Sequence, residues 1–317
     1  MGARRALLGL ISRAAVGGTI EPLEDDRLAG ELRLSGFRSA LRAHLLRRMM
    51  GAALRHGDVR MVFPALDGLF TLACSSQDSG VGWEVLNRGT HEPHVVAFYR
   101  SFLRPGMVVV DVGANIGFHA LHAGKLVQPG GRVVAVEPDP QSAALLAFSL
   151  SLNPGLPVEV IQAGLSDAGG SLFLSDLGNA ANSGARFTHR DRGHLEALVH
   201  GPQPTFSTAT ALRWDDRFQM LPLQLLKIDI EGHEPHALRG MEASIARHRP
   251  VILTEFAPGN LRQLGGTEPA AYLAWFRERG YRGAVLDEAG GPPLPLSGEA
   301  LPQMGDRHHV DLVFTPV

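Results

Sequence analysis

From about residue 86 onward, apolar positions follow two alternating rhythms. Met107-Val-Val-Val-Asp-Val112, Arg132-Val-Val-Ala-Val136, Val158–Gln162, Leu223–Ile230 and Val251–Thr254 are apolar at nearly every position. Such runs read as strands buried on both faces. Between them, Phe118–Val127, Gln141–Leu152, Pro235–His248 and Ala270–Arg279 read as helices, with Leu238, Met241 and Ile245 on one face of the third. This alternation predicts an α/β fold: a mostly parallel sheet with helices on both faces. Arg282–Leu286 and Val310–Phe314 complete seven strands, and a Gly/Pro-rich link without a helix predicts that they form an antiparallel edge hairpin.

Residues 1–85 read as a separate small α/β region of no visible chemistry, ahead of a main domain over 86–317. Leu41, Leu45, Leu46 and Met49 have helical spacing, and Val59–Phe63 and Leu69–Ala73 flank a turn at Asp67-Gly68. The Asn/Gly/His-rich stretch from Asp176 to Thr210 reads as an insertion.

The 317 residues are 44% hydrophobic and 20% charged, with a formal net charge of -2, so no basic excess offers a footprint for nucleic acid. The single Cys74 excludes an internal disulfide and cysteine-rich zinc sites, and reads as a small buried hydrophobe. No apolar run reaches the roughly 18 residues of a membrane span. Met1–Ile11 begins like a signal peptide, but its apolar run stops at Ser12-Arg13. With basic residues almost all arginine, the chain is read as a cytoplasmic bacterial protein. Lys125 and Lys227 are its only lysines.

Two segments carry candidate chemistry. Asp111-Val-Gly113-Ala-Asn115-Ile-Gly117 lies between a strand and a helix, where a turn exposes backbone N–H groups to a ligand. Glu137 ends the next strand, twenty residues beyond Gly117, where a carboxylate can accept both hydroxyls of an adenosine ribose. Asn115 replaces the middle glycine of a dinucleotide fingerprint, which disfavours NAD. Asp111 suits a cation better than a diphosphate, and S-adenosylmethionine carries an ammonium and a sulfonium. The second segment, Lys227-Ile-Asp229-Ile-Glu231-Gly232-His233-Glu234, ends the fourth strand, at the sheet edge where ligands bind. Alternation puts Lys227 and Asp229 on one face, where they can pair.

These segments, with Val136-Glu137-Pro138-Asp139 and Pro250-Val-Ile-Leu-Thr-Glu255, resemble the FkbM-type methyltransferases over about residues 84–256. The resemblance implies a class I, Rossmann-like, S-adenosylmethionine-dependent O-methyltransferase acting on hydroxyls of macrolides, sugars or glycolipids. It assigns Asp111, Gly113, Asn115 and Gly117 to the methionine end of the cofactor and Glu137 to the ribose. Pro138 and the Gly164-Leu165-Ser166-Asp167 turn would flank the adenine, and Glu92 would meet the cofactor amino group. Leu212-Arg-Trp-Asp-Asp216 departs from the family's Leu-Asp-Asp, leaving the register there open.

For the acceptor proton, His233 is the natural base by pKa, whereas Glu231, Glu234 and Glu255 fit the family pattern better. Asp229, Glu231, Glu234 and Glu255 also offer oxygen ligands for Mg²⁺, a reading kept second. The pairs His91/His94, His119/His122 and His233/His236 are each three apart, too weak a pattern for a metal site. The loops Asp287–His309 and Asn179–His194 are expected to form lips of an acceptor pocket. The expected partner is a small-molecule or glycan acceptor, and a homodimer through the N-terminal region is open. The competing readings are an NAD-dependent oxidoreductase and a non-catalytic subunit that keeps the cofactor fold.

Overall fold

Strands of valine, alanine and leucine need cover on both faces, and their placement organises the rest of the chain. The computed structural model describes residues 31–33, 60–177, 184, 186–199, 204–288, 291–296, 301 and 308–317. The helix expected around Leu41–Met49 lies outside them. Strand β1 (Glu31–Arg33) pairs parallel with β2 (Arg60–Ala65), which forms an antiparallel hairpin with β3 (Phe70–Ser75). The hairpin turns through Asp67 and Gly68, both at positive φ, as the Asp-Gly pair suggested.

The main sheet begins with β4 (Val108–Val112), β5 (Arg132–Val136) and β6 (Val158–Ile161). A second sheet follows, from β7 (Gly164–Leu165), β8 (Gly170–Ser175), β9 (Phe187–His189) and β10 (Phe206–Leu212), in the order β7-β10-β8-β9. The chain then returns to the main sheet with β11 (Leu225–Ile228), β12 (Val251–Phe256), β13 (Tyr281–Val285), β14 (Leu294–Pro295) and β15 (Val310–Pro316). The main sheet has the order β14-β13-β15-β12-β11-β4-β5-β6.

Several expectations change in detail. The sheet has eight strands rather than seven, because the two-residue β14 adds to the far edge. The last strand, β15, enters between β12 and β13 and runs antiparallel to both. The stretch read as an insertion carries β9 and most of β10, whose mixed polar sequence hid a strand pattern. The helix expected over Pro235–His248 is two helices, Glu234–Gly240 and Glu242–His248, broken at Met241. At the break Gly240 touches the neighbouring backbone, where a Cβ would lie 2.1 Å from the Ser166 carbonyl.

The N-terminal hairpin packs on the helix Pro140–Ser151. Ala73 N donates to Ser149 Oγ (2.9 Å), while Asn153 accepts from Thr71 N (2.9 Å) and donates to Thr71 O (2.6 Å). Phe63, Phe70, Leu72 and Leu86 share one core with Phe118 and Leu121, so residues on both sides of position 85 are packed together. Cys74 is buried there as a hydrophobe. Among the described residues no helix is long and apolar enough to cross a membrane.

In the segment before β11, Asp215 is the buried acid of the Asp215-Asp216 pair. Its carboxylate accepts from Ala243 N (2.7 Å), Ser244 N (3.0 Å) and Ser244 Oγ (2.6 Å), bracing the start of the helix Glu242–His248. Removing such an acceptor strands buried donors at about 1–3 kcal/mol. Asp215→Ala is therefore expected to lower the unfolding free energy by about 2 kcal/mol in urea titration, while Asp216→Ala, more exposed beside it, changes stability little.

Candidate functional site

Strand order reverses between β4 and β11, and the crevice outside their carboxyl ends is where an open parallel sheet binds ligands. Lys227 in β11 lies directly across from Asp111 in β4. Its Nζ is 2.9 Å from Asp229 Oδ2 and 3.8 Å from Asp111 Oδ1. Burial works against the lysine's charge, but Asp229, Asp111 and Glu92 hold its pKa well above the ordinary value. Neither oxygen of Asp111 has a hydrogen-bond partner among the described residues. Burial pushes the Asp111 carboxyl up while Lys227 opposes the shift.

The turn after β4 is built by backbone approach. Gly113 (φ 83) packs so closely that a Cβ would lie 1.9 Å from the Asp229 carbonyl, and one on Gly117 (φ 94) would meet Leu146 at 2.1 Å. Asn115 adopts φ 50 between them, a left-handed conformation that asparagine tolerates. Its N–H donates to Glu137 Oε2 (2.8 Å), and Asp139 N donates to Glu137 Oε1 (2.8 Å). Burial pushes Glu137 up to about 7 against the pull of these two donors. The first expected segment thus forms one connected unit.

A cleft of ≈ 730 Å³ opens in front of it and gathers Glu92, Asp111, Lys227, Asp229, Glu231 and Glu255. Burial, then Asp229 and Glu234, push Glu231 up to about 8, while Asn260 Nδ2 donates to it at 3.0 Å. Burial, with Glu231 and Asp229, raises Glu255 well above its usual range, and its Oε2 has no partner among the described residues. Of the expected lips, Gly184, His308 and His309 reach the cleft. Residues 179–183, 185, 289–290, 297–300 and 302–307 of those loops lie outside the described set.

Other expected residues are not in this cleft. His233 lines a separate apolar crevice with Pro138 and Leu165. It stacks on His236 (4.6 Å between ring centroids), and its Nε2 lies 3.1 Å from Ser166 Oγ. Burial, helped by His236, drives its pKa down to about 3. The reason is local: Glu231 (φ 56) and Gly232 (φ 100) are both left-handed, so the chain reverses after Glu231 and carries His233 behind the wall. Glu234 Oε1 accepts from Ile230 N (3.0 Å) and Gly232 N (3.1 Å), which closes that turn. With Glu234 committed there and Asp229 bound to Lys227, the four carboxylates considered for Mg²⁺ do not converge on one point.

His91 and His119, set aside in the sequence as members of H-x-x-H pairs too weak to indicate a metal, also line the cleft, as does Glu84, which the sequence did not single out. His119 Nε2 lies 2.8 Å from Glu92 Oε2, and His91 Nδ1 lies 2.6 Å from Glu84 Oε2. The one available signal was position: His119 is in the first helical turn after the glycine segment.

The raised carboxyls have a stability consequence. Glu234, at about 7 against an ordinary 4.5, binds its proton more tightly folded than unfolded. Its contribution is complete below about pH 4.5 and is lost as pH rises through 7. Melting temperature followed from pH 5 to 8 is expected to fall less steeply in Glu234→Gln than in the parent, and parallel curves would refute the shift.

A family model described as the methyltransferase FkbM domain matches residues 111–282, more than half of the 317 residues. Over 177 residues the chain is 28% identical to methyltransferase sdnD of Sordaria araneosa, covering 49% of this chain and 68% of that one. Over 146 residues it is 27% identical to hexuronic acid methyltransferase AglP of Haloferax volcanii, covering 46% and 54%. A crystal structure of methyltransferase FkbM from Methylobacillus flagellatus aligns with a TM-score of 0.41 and 17% identity, covering 73% of this chain and 53% of that one. The chain thus spans about half the length of AglP and of the crystallised protein.

Proposed function

The chain belongs to the FkbM methyltransferase family, and we propose that it moves a methyl group from S-adenosylmethionine to a hydroxyl oxygen of a small natural product such as a polyketide macrolide, or of a sugar or glycolipid. The observation that carries this reading is Asp111, a buried carboxylate with both oxygens unpartnered among the described residues, one residue before the glycine turn. A buried charge is costly unless it meets an opposite one. Lys227 supplies only part of that, since its close partner is Asp229. The cofactor's ammonium fits the remainder, whereas a diphosphate would face Asp111, Asp229 and Glu92 together.

In this reading Gly113, Asn115 and Gly117 hold the methionine end, on a turn whose two glycines pack against the Asp229 carbonyl and Leu146. Glu137 keeps lone pairs for ribose hydroxyls after accepting its two N–H groups. Pro138, Leu165 and Ser166 flank the adenine as the family pattern implies, and the first two line the apolar crevice. When bound, the cofactor supplies an activated methyl on sulfur, and the protein aligns the acceptor and takes one proton. Glu231 and Glu255 face the cleft for that task, with raised pKa values suited to a base. Lys227 and Asp229 hold the floor, and Glu234 fixes the turn that presents Glu231. His233 acts behind the wall, away from the acceptor. The similarity to AglP, a hexuronic acid methyltransferase, supports a sugar among the acceptors.

Calorimetric titration with S-adenosylhomocysteine and, in parallel, NAD⁺ tests the cofactor. Binding of the first alone is expected, weakened at least about 30-fold in Asp111→Asn, as for the loss of a buried charge partner. Binding of NAD⁺ alone, or of neither, would overturn the proposal, the second outcome pointing to a non-catalytic subunit. Once an acceptor is found, kcat is expected to rise with pH with its midpoint near 8, the value to which Glu231 is shifted, and to level off above it. Glu231→Gln should lower it by about 10²–10⁴ and abolish that limb.

A further inference from the structure

We propose that His91, Glu92 and His119 form a binding site for a transition-metal dication of the Zn²⁺ or Mn²⁺ kind in the wall of the cleft. One nitrogen of each imidazole and one carboxylate oxygen of Glu92 lie within 4.8 Å of one another. Glu92 divides its oxygens between the two rings, with Oε2 2.8 Å from His119 Nε2 and Oε1 3.6 Å from His91 Nε2. Ligands about 2.0–2.2 Å from a tetrahedral ion stand a little over 3 Å apart, so only a small closure is needed.

Three further observations point the same way. The other nitrogen of His91 is held by a carboxylate, Glu84 Oε2 at 2.6 Å, which is the outer support that metal-binding imidazoles use to fix tautomer and ring direction. Both rings are also braced edge-on by aromatics, His91 by Phe118 (5.9 Å) and His119 by Tyr99 (5.7 Å). Glu92 itself adopts φ 43, a strained conformation for this residue type, with its carboxylate between the rings. Finally, three carboxylates, Asp229, Asp111 and Glu92, act on one buried ammonium, Lys227, so this part of the cleft has room for further positive charge.

Two imidazoles and one carboxylate select a first-row transition ion rather than Mg²⁺ or Ca²⁺, which prefer oxygen throughout. Three protein ligands leave at least one position for an oxygen from the molecule in the cleft, and all three residues line that cleft. Two of the three ligands precede residue 111, where the family match begins. The family match therefore does not cover His91 or Glu92. The site competes with the expectation that Glu92 meets the cofactor amino group, because each Glu92 oxygen already faces an imidazole.

The test uses the full chain, stripped with EDTA and dialysed, titrated calorimetrically with Zn²⁺, Mn²⁺ and Mg²⁺ without cofactor, so it stands whether or not methyl transfer does. One Zn²⁺ site per chain is expected, much tighter than Mg²⁺. His119→Ala and Glu92→Gln should each weaken it at least about 100-fold. Glu84→Gln, which keeps all three ligands, should weaken it by about 10–100-fold. His236→Ala, outside the cluster, should leave it unchanged. Melting temperatures establish that the variants fold, and His91→Asn replaces any that does not. Zn²⁺ affinity unaltered in His119→Ala and His91→Asn, or Mg²⁺ binding as tight as Zn²⁺, would overturn the site. Loss of S-adenosylhomocysteine binding in Glu92→Gln with unaltered Zn²⁺ affinity would do the same and return Glu92 to the cofactor.

Discussion

A buried ammonium at the switch in strand order holds the cleft together. Lys227 lies across the ladder from Asp111 and two positions before Asp229, so one cation ties β4, β11 and the segment beyond β11 at their carboxyl ends. Its stem is packed inside the sheet, and its charge is tolerable there only because carboxylates flank it. Breaking such a group by deleting one member leaves a buried charge uncompensated, at a cost of about 3–5 kcal/mol. The Asp229 that answers the lysine also presents its carbonyl to Gly113, which explains why the turn and the second acidic segment are seated together.

Around this centre the protein spends polar groups on two sides of one wall. Facing the cleft, Glu231 and Glu255 lie near each other with raised pKa values and few donors. Behind it, His233, Ser166 and His236 form a neutral stacked cluster, with Asp167 drawn down to about 2 despite burial, chiefly by its hydrogen bond to His236. Glu234 belongs to neither side; it binds the N–H groups of the turn that separates them. The left-handed pair Glu231-Gly232 makes that separation possible, and Gly232 has the Asn260 carbonyl 2.6 Å from where a Cβ would be.

Much of the architecture was legible because the signals are local. Apolar runs over 108–112, 132–136 and 251–254 read as buried strands without reference to any distant residue. The glycine turn with Glu137, and the alternation that pairs Lys227 with Asp229, were legible for the same reason. Strand and helix ends moved by only a few residues. The second sheet was not legible, because β9 and β10 are rich in Ser, Thr and His with few large apolar residues and little burial. The break at Met241 was equally hidden, since it follows from Gly240 meeting the backbone at Ser166.

By itself, then, the sequence determined the alternating α/β order, the glycine turn, the acid Glu137 ending the next strand and the acidic segment, because each depends on local periodicity or spacing. Only the tertiary structure decided which of those residues share a cleft. It turned His233 away from Glu231 although they are two positions apart, since two left-handed residues reverse the chain between them. It also brought His119 to Glu92 across 27 positions, and set Asp311 against His94 across 217. Such meetings depend on how the sheet orders its strands and seats its helices, and no local pattern encodes that.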